Sequence, residues 1–254
     1  MTIDAQLRGA DLLPITLGES GACVWRVVAA GAPDRFLKRS SGVLADDIRD
    51  ETARMRWAAG RLPVPQVLGS EDDGTMATLL MSALPGICAS DIVAQALLPP
   101  ATVARMLADA LRLLHSTPLG DCPFDHTPHT TLARAAARAR MGLIDTDDFD
   151  TERTGWTAQQ VLDALHATMP AVSDVVLTHG DYCLPNILFV GETLSGFVDL
   201  GRLGRGDRWG DLALARRSLE HNDIGVVSDT FLARYDAPPD TARDAWFRLL
   251  DECF

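Results

Sequence analysis

The stretch His179-Gly-Asp181-Tyr-Cys-Leu-Pro-Asn186-Ile-Leu-Phe-Val-Gly-Glu-Thr-Leu-Ser-Gly-Phe-Val-Asp199-Leu-Gly201 decides how the rest of the chain is read. A short β-like run, Val175-Val-Leu-Thr178, leads into it. Asn186 to Val190 and Leu194 to Val198 flank the turn Gly191-Glu-Thr and predict a hairpin. The stretch holds a carboxylate, an amide five residues on, and a second carboxylate beyond the hairpin. Phosphoryl transfer requires a carboxylate near an acceptor hydroxyl and hard oxygen ligands that fix Mg2+ against phosphates. Asp181 would orient the hydroxyl and take its proton, while Asn186 and Asp199 would ligate the metal. Any one of them alone is equally at home in a turn or at a strand end, so the spacing of the set carries the reading. His179 reads as a scaffold that hydrogen-bonds the loop backbone, with no part in proton transfer.

Upstream, residues 1–81 read as strand-rich. The runs 13–17, 22–28, 35–39, 67–70 and 76–81 are short, apolar or β-branched, and separated by turn residues. Between the third and fourth, Asp46 to Gly60 switches to helical spacing. Of 23 basic residues, Lys38 is the single lysine. A compact ammonium does what a planar guanidinium cannot, although in so arginine-biased a chain one lysine could also be a leftover. Its place on the third strand, with Glu51 on the following helix, favours a Lys–Glu pair that turns an ammonium toward α- and β-phosphates. Gly18-Glu-Ser20-Gly21 lies before it. Ser20 and Gly21 would cover phosphates with backbone N–H groups, and an ordinary hairpin turn explains them equally well.

Beyond about residue 86, helical patterns dominate at 91–97, 101–116, 130–142, 157–167, 210–218, 226–235 and 241–254. The expected organisation is an N-terminal lobe over 1–81, a hinge over 82–85 and a helical lobe over 86–254. The chain is 47% hydrophobic over 254 residues, enough for a sizeable core, and carries a net charge of −12. That charge excludes the basic footprint a nucleic acid needs; it suits a cationic partner, or simply solubility. The five cysteines are scattered, without CxxC or metal spacing, and read as reduced thiols. No apolar run has membrane-spanning length and none resembles a signal peptide, so a soluble, cytoplasmic protein, without membrane or nucleic-acid partners, is expected.

Further segments carry a resemblance: Phe36-Leu-Lys38, Arg61-Leu-Pro-Val-Pro-Gln-Val67, Leu80-Met-Ser-Ala83, Leu114-His-Ser116, Asp121-Cys-Pro-Phe124, Ser195 to Arg202, Asp207-Arg-Trp-Gly-Asp211 and Leu249-Leu-Asp-Glu-Cys-Phe254. With the 179–186 loop, they make the chain from Leu17 to Phe254 similar to the aminoglycoside 3′-phosphotransferases. That resemblance implies an α+β, protein-kinase-like two-lobed fold, with an N-terminal five-stranded antiparallel sheet and one helix, and a mainly helical C-terminal lobe. It implies ATP or GTP as phosphoryl donor, Mg2+ as cofactor, and a monomer or dimer. Phe36 takes the place of an aromatic that stacks on the base, and Met81, Ser82 and Ala83 that of the hinge bonding the base edge. Arg202 and Arg217 match positions near the active site.

The implied acceptor is a polycation of the kanamycin or neomycin type, phosphorylated on its 3′-hydroxyl, which makes the chain a resistance enzyme. Asp148, Asp150 and Glu152, together with Asp251, Glu252 and the terminal carboxylate of Phe254, would bind it; residues 145–152 would otherwise be a solvated loop. A kinase for another small alcohol (a macrolide, choline or a sugar) and an inactive nucleotide-binding module are the alternatives. Thr151, Tyr182 and Ser218 depart from the family pattern: the loop at Thr151 lacks an acid that some relatives carry nearby, Tyr182 is bulky, and Ser218 stands where some relatives have Asn.

Overall fold

A computed structural model describes residues 2–15, 22–171 and 174–254. It divides into two compact units, Met1–Ile87 with Ile187–Arg202, and Cys88–Asn186 with Leu203–Phe254.

The first unit is built on five antiparallel strands, β1 (Asp11–Ile15), β2 (Cys23–Val28), β3 (Arg35–Ser41), β4 (Val67–Asp72) and β5 (Met76–Ser82), in the order β1-β2-β3-β5-β4. A short helix α1 (Ile3–Leu7) joins the expected helix α2 (Ala45–Ala58). Side chains alternate across the sheet. Leu37 therefore packs with Ile3, Val27 and Leu80 on one face, while Lys38 turns to the other, where Glu51 of α2 meets it. Helix α2 buries Ile48, Glu51, Thr52, Met55 and Ala58, the spacing of one helical stripe.

The hairpin Ile187–Val190 with Thr193–Phe197 also belongs to this unit, whereas the sequence reading gave all of 86–254 to the second lobe. The reason is backbone proximity. Phe197 donates its N–H to the carbonyl of Pro63, and a Cβ on Gly196 would lie 2.3 Å from that oxygen.

The second unit holds α3 (Ala89–Ala94), α4 (Pro100–His115), α5 (Pro128–Met141), α6 (Ala158–Thr168), α7 (Arg208–His221), α8 (Ser228–Tyr235) and α9 (Thr241–Asp251). Val103, Leu107, Leu111 and Leu114 line the buried stripe of α4, against α8. Helix α7 is buried nearly all round, at Trp209, Leu212, Ala213, Leu214, Ala215 and Leu219, as an interior helix should be. It starts at Arg208, because the Asp207 side chain accepts the Trp209 N–H and caps it. Val175–Thr178 pairs antiparallel with Gly204–Asp207, a strand the sequence reading did not anticipate. No helix among the described residues is long and apolar enough to cross a membrane.

Candidate active site

In the first unit, Lys38 Nζ lies 2.9 Å from both Glu51 oxygens and 3.1 Å from Asp199 Oδ1. The Lys38 side chain is 14% exposed and that of Glu51 4%, whereas Asp199 is about half open at 47%. Burial works against the ammonium, but Glu51 and then Asp199 outweigh it and hold Lys38 above the ordinary lysine value. Burial pushes the Glu51 carboxyl up, and Lys38 and the Leu200 N–H oppose it. Asp199 itself has φ of 59°, a left-handed backbone that costs a non-glycine residue about 1 kcal/mol. The turn after the hairpin thus holds this carboxylate in a strained conformation beside the cation. Phe36 pairs across β3 and β5 with Met81. The N–H groups of Ser82 and Ala83 are already given to the carbonyls of Gln66 and Asp34. Arg202 ends this unit. Ser20 and Gly21 lie outside the described residues.

In the second unit, the loop after Val175–Thr178 is braced from beneath. Asp211 of α7, wholly buried, accepts the N–H of His179 at 2.7 Å and that of Gly180 at 2.9 Å. His115 of α4 bonds Asp211 through Nε2 at 2.9 Å and Tyr235 Oη of α8 through Nδ1 at 2.7 Å. Burial pushes the Asp211 carboxyl up, but its bond to His115 and the neighbouring positive charge bring it below the ordinary value. An ionised carboxylate only accepts, so Asp211 takes its bond from the His115 Nε2–H, and Tyr235 Oη closes the chain at Nδ1.

Above this brace, Asn186 donates Nδ2 to Asp181 Oδ2 at 2.8 Å and to the Asp181 carbonyl at 3.0 Å. Its amide nitrogen is so engaged that the amide oxygen is the atom left to ligate a metal. Tyr182 explains its own bulk: it is buried, and its hydroxyl donates to the Leu107 carbonyl at 2.7 Å. Ser218 accepts the Leu184 N–H at 2.9 Å, which fixes the far end of the loop.

The same unit gathers part of the acidic set. Arg217 binds Asp251 at 2.7 Å and Asp150 at 3.0 Å. Arg153, on the turn Thr151–Arg153, binds Glu252 at 2.6 Å and Asp150 at 2.9 Å. Asp148 and Glu152 stay on the surface, Glu152 at 3.6 Å from Arg153. The Arg138 guanidinium lies 5.5 Å over the Phe254 ring and donates to the Cys253 carbonyl. No group of three or more His, Cys, Asp or Glu among the described residues is placed to hold a metal ion by itself. A carboxylate and an amide suit Mg2+, which relies on phosphate oxygens for its remaining ligands.

A profile described as the phosphotransferase enzyme family matches residues 11–247. An aminoglycoside 3′-phosphotransferase of Escherichia coli is 37% identical over 94% of this chain and 88% of its own length. The chain belongs to the phosphotransferase enzyme family. Other members agree with it along nearly the whole length. A streptomycin 3″-kinase of Streptomyces griseus is 34% identical over 96% of this chain and 92% of its own. The crystal structure of a type VIII aminoglycoside 3′-phosphotransferase superposes with a TM-score of 0.87 at 32% identity, covering 98% of this chain and 96% of that one. The kinase-like fold expected from the sequence is therefore the fold of this phosphotransferase, with an antiparallel sheet first and helices after it.

Two groups of residues in this phosphotransferase escaped the sequence reading. Asp211 and His115 were visible only as parts of family segments, because nothing local shows a carboxylate reaching back 32 residues to backbone N–H groups. Arg153 carried no signal beyond its place in an acidic run.

Proposed function

We propose that the protein transfers the γ-phosphoryl group of ATP, or GTP, to the 3′-hydroxyl of an aminoglycoside such as kanamycin or neomycin, and so confers resistance in the cytoplasm. The observation that carries this reading is Lys38, the single lysine, fixed between Glu51 and Asp199. In a phosphotransferase such an ammonium faces phosphate oxygens, with Glu51 setting its position. Phe36, Met81, Ser82 and Ala83 receive the base, Ser82 and Ala83 through their carbonyls, and Ser20 and Gly21 cover the phosphates. Asn186 and Asp199 hold Mg2+, which when bound supplies positive charge to the phosphate oxygens.

Asp181, oriented by Asn186, accepts the proton of the acceptor hydroxyl as its oxygen bonds to phosphorus; the bond to the β-phosphate oxygen breaks and the nucleoside diphosphate departs. Most of the acceleration comes from alignment and charge stabilisation. The acceptor is a polycation whose site comprises Asp148, Asp150, Glu152, Asp251, Glu252 and the Phe254 carboxylate, together with Arg202 and Arg217, of which Arg217 orders Asp150 and Asp251. The net charge of −12 and relatives named for aminoglycoside 3′-phosphorylation support this.

Streptomycin, phosphorylated at its 3″-hydroxyl, is the second reading, favoured by the 34% identical streptomycin kinase and by a 27% identical Streptomyces rimosus structure with ADP and streptomycin. The test is to incubate the protein with Mg·ATP or Mg·GTP and each of kanamycin, neomycin and streptomycin. Mass spectrometry reads mono-phosphorylation, and NMR locates the phosphate. A 3′-phosphate on kanamycin is expected; product on streptomycin alone would select the second reading, and no product on any acceptor would sink both.

A further inference from the structure

We propose that Arg153 is an internal counter-ion that occupies the carboxylates of Asp150 and Glu252 until a cationic acceptor displaces it, so that it sets how much positive charge an acceptor must bring. The inference rests on the reading that these acids receive the acceptor.

The two arginines of the cluster are held differently. Arg217 sits on the interior helix α7, where its backbone cannot move away from Asp150 and Asp251. Arg153 ends a three-residue turn whose neighbours Thr151, Glu152, Thr154, Gly155 and Trp156 are all exposed. It reaches Asp150 three residues back and Glu252, 99 positions away, just beyond α9. Arg153 can leave with its loop, and Arg217 cannot.

Within the cluster Asp150 meets both guanidinium groups, Asp251 meets that of Arg217, and Glu252 meets that of Arg153. The Glu252 side chain is 1% exposed, yet its Oε2 is buried without a donor. Burial pushes the Glu252 carboxyl up even with Arg153 attached. A buried carboxylate oxygen lacking a donor is the place where an ammonium adds a bond. An acceptor amine that replaced Arg153 would therefore recover the contacts to Asp150 and Glu252 and fill the Oε2 position as well.

The test compares wild type with Arg153→Gln, Glu252→Gln and the double variant. Kanamycin binding is measured by calorimetry without nucleotide, turnover is measured in parallel, and denaturant midpoints report folding. Arg153→Gln is expected to bind kanamycin about fivefold more tightly, the size of one partly screened charge pair. The gain should appear in KM rather than kcat, and should vanish in the Glu252→Gln background. Should Arg153→Gln fail to fold, Arg153→Lys, which keeps the charge but loses the forked contact, is expected to bind about twofold more tightly. Equal or weaker binding by these variants, or a gain that persists without Glu252, overturns the proposal and leaves Arg153 a staple for its loop. Binding without phosphorylation of any aminoglycoside refutes the proposed reaction while the binding series still decides on Arg153; absence of binding by every variant overturns the counter-ion.

Discussion

Asp181 and Asn186 are joined by a 2.8 Å bond within one loop, so the orientation of the carboxylate is set by its own loop. Asp181→Ala is expected to lower kcat by at least about a hundredfold, the usual worth of a positioned base, while nucleotide affinity stays near wild type. Rapid-quench turnover and nucleotide titration check the two halves, and near-normal turnover would remove Asp181 from its role. Lys38 has two acidic partners of unequal burial. Glu51→Gln leaves the ammonium with the half-open Asp199 alone, and should cost about 2 kcal/mol in urea unfolding. At this scale the sequence was most legible. The lone lysine and the Asp–Asn–Asp spacing are identities visible along the chain. The pairing of Asp150, Asp251 and Glu252 with arginines was not, since an acidic run reads alike whether it faces solvent or a guanidinium.

Among the elements, the hairpin Ile187–Val190 with Thr193–Phe197 tests how tightly strands and turns are fitted. Gly196→Ala places a methyl against the Pro63 carbonyl, a backbone atom that cannot rotate away. The expected loss is about 2 kcal/mol in denaturant midpoint, and an unchanged midpoint would show the close approach to be slack. Asp211→Asn keeps the side-chain size but weakens the acceptance of two loop N–H groups and His115, so it should lower kcat more than it raises KM. The hairpin and the helical stripe of α4 were readable because their periods are local. Gly204–Asp207 was not, for a reason the structure supplies. Gly-Arg-Gly-Asp has almost no β character, yet a Cβ on Gly206 would fall 2.8 Å from Thr178 Oγ1. The close pairing itself selects residues that conceal the strand.

For the molecule as a whole, alkali should be more damaging than the composition suggests. Burial, with the charges of Glu252 and Asp251, pushes the Cys253 thiol from 9.0 up to about 12, and burial above all raises the Tyr235 hydroxyl from 10.0 to about 12. Both are neutral in the folded state over a range where the unfolded chain ionises. Their stability is therefore complete below pH 9 and is lost as pH rises toward 12. Lys38, raised by its acids, loses its share above the ordinary lysine value. Unfolding free energy measured from pH 8 to 11 should fall steadily, and Cys253→Ala should flatten the first part of the slope. A slope unchanged by that variant would show the thiol ionises as easily folded as unfolded.

The first unit is made of two pieces of chain that are about one hundred residues apart. Its opening 87 residues are synthesised roughly 5 to 20 seconds before the segment that carries Asp199, at ordinary translation rates. Until then Pro63 lacks its hairpin partner and Lys38 has only Glu51. A nascent chain arrested before residue 187 should hence be more open to protease than one arrested after residue 202 has cleared the exit tunnel. Assembly of the Glu51–Lys38–Asp199 group is thus a late event of biosynthesis, although its lysine is among the first forty residues made.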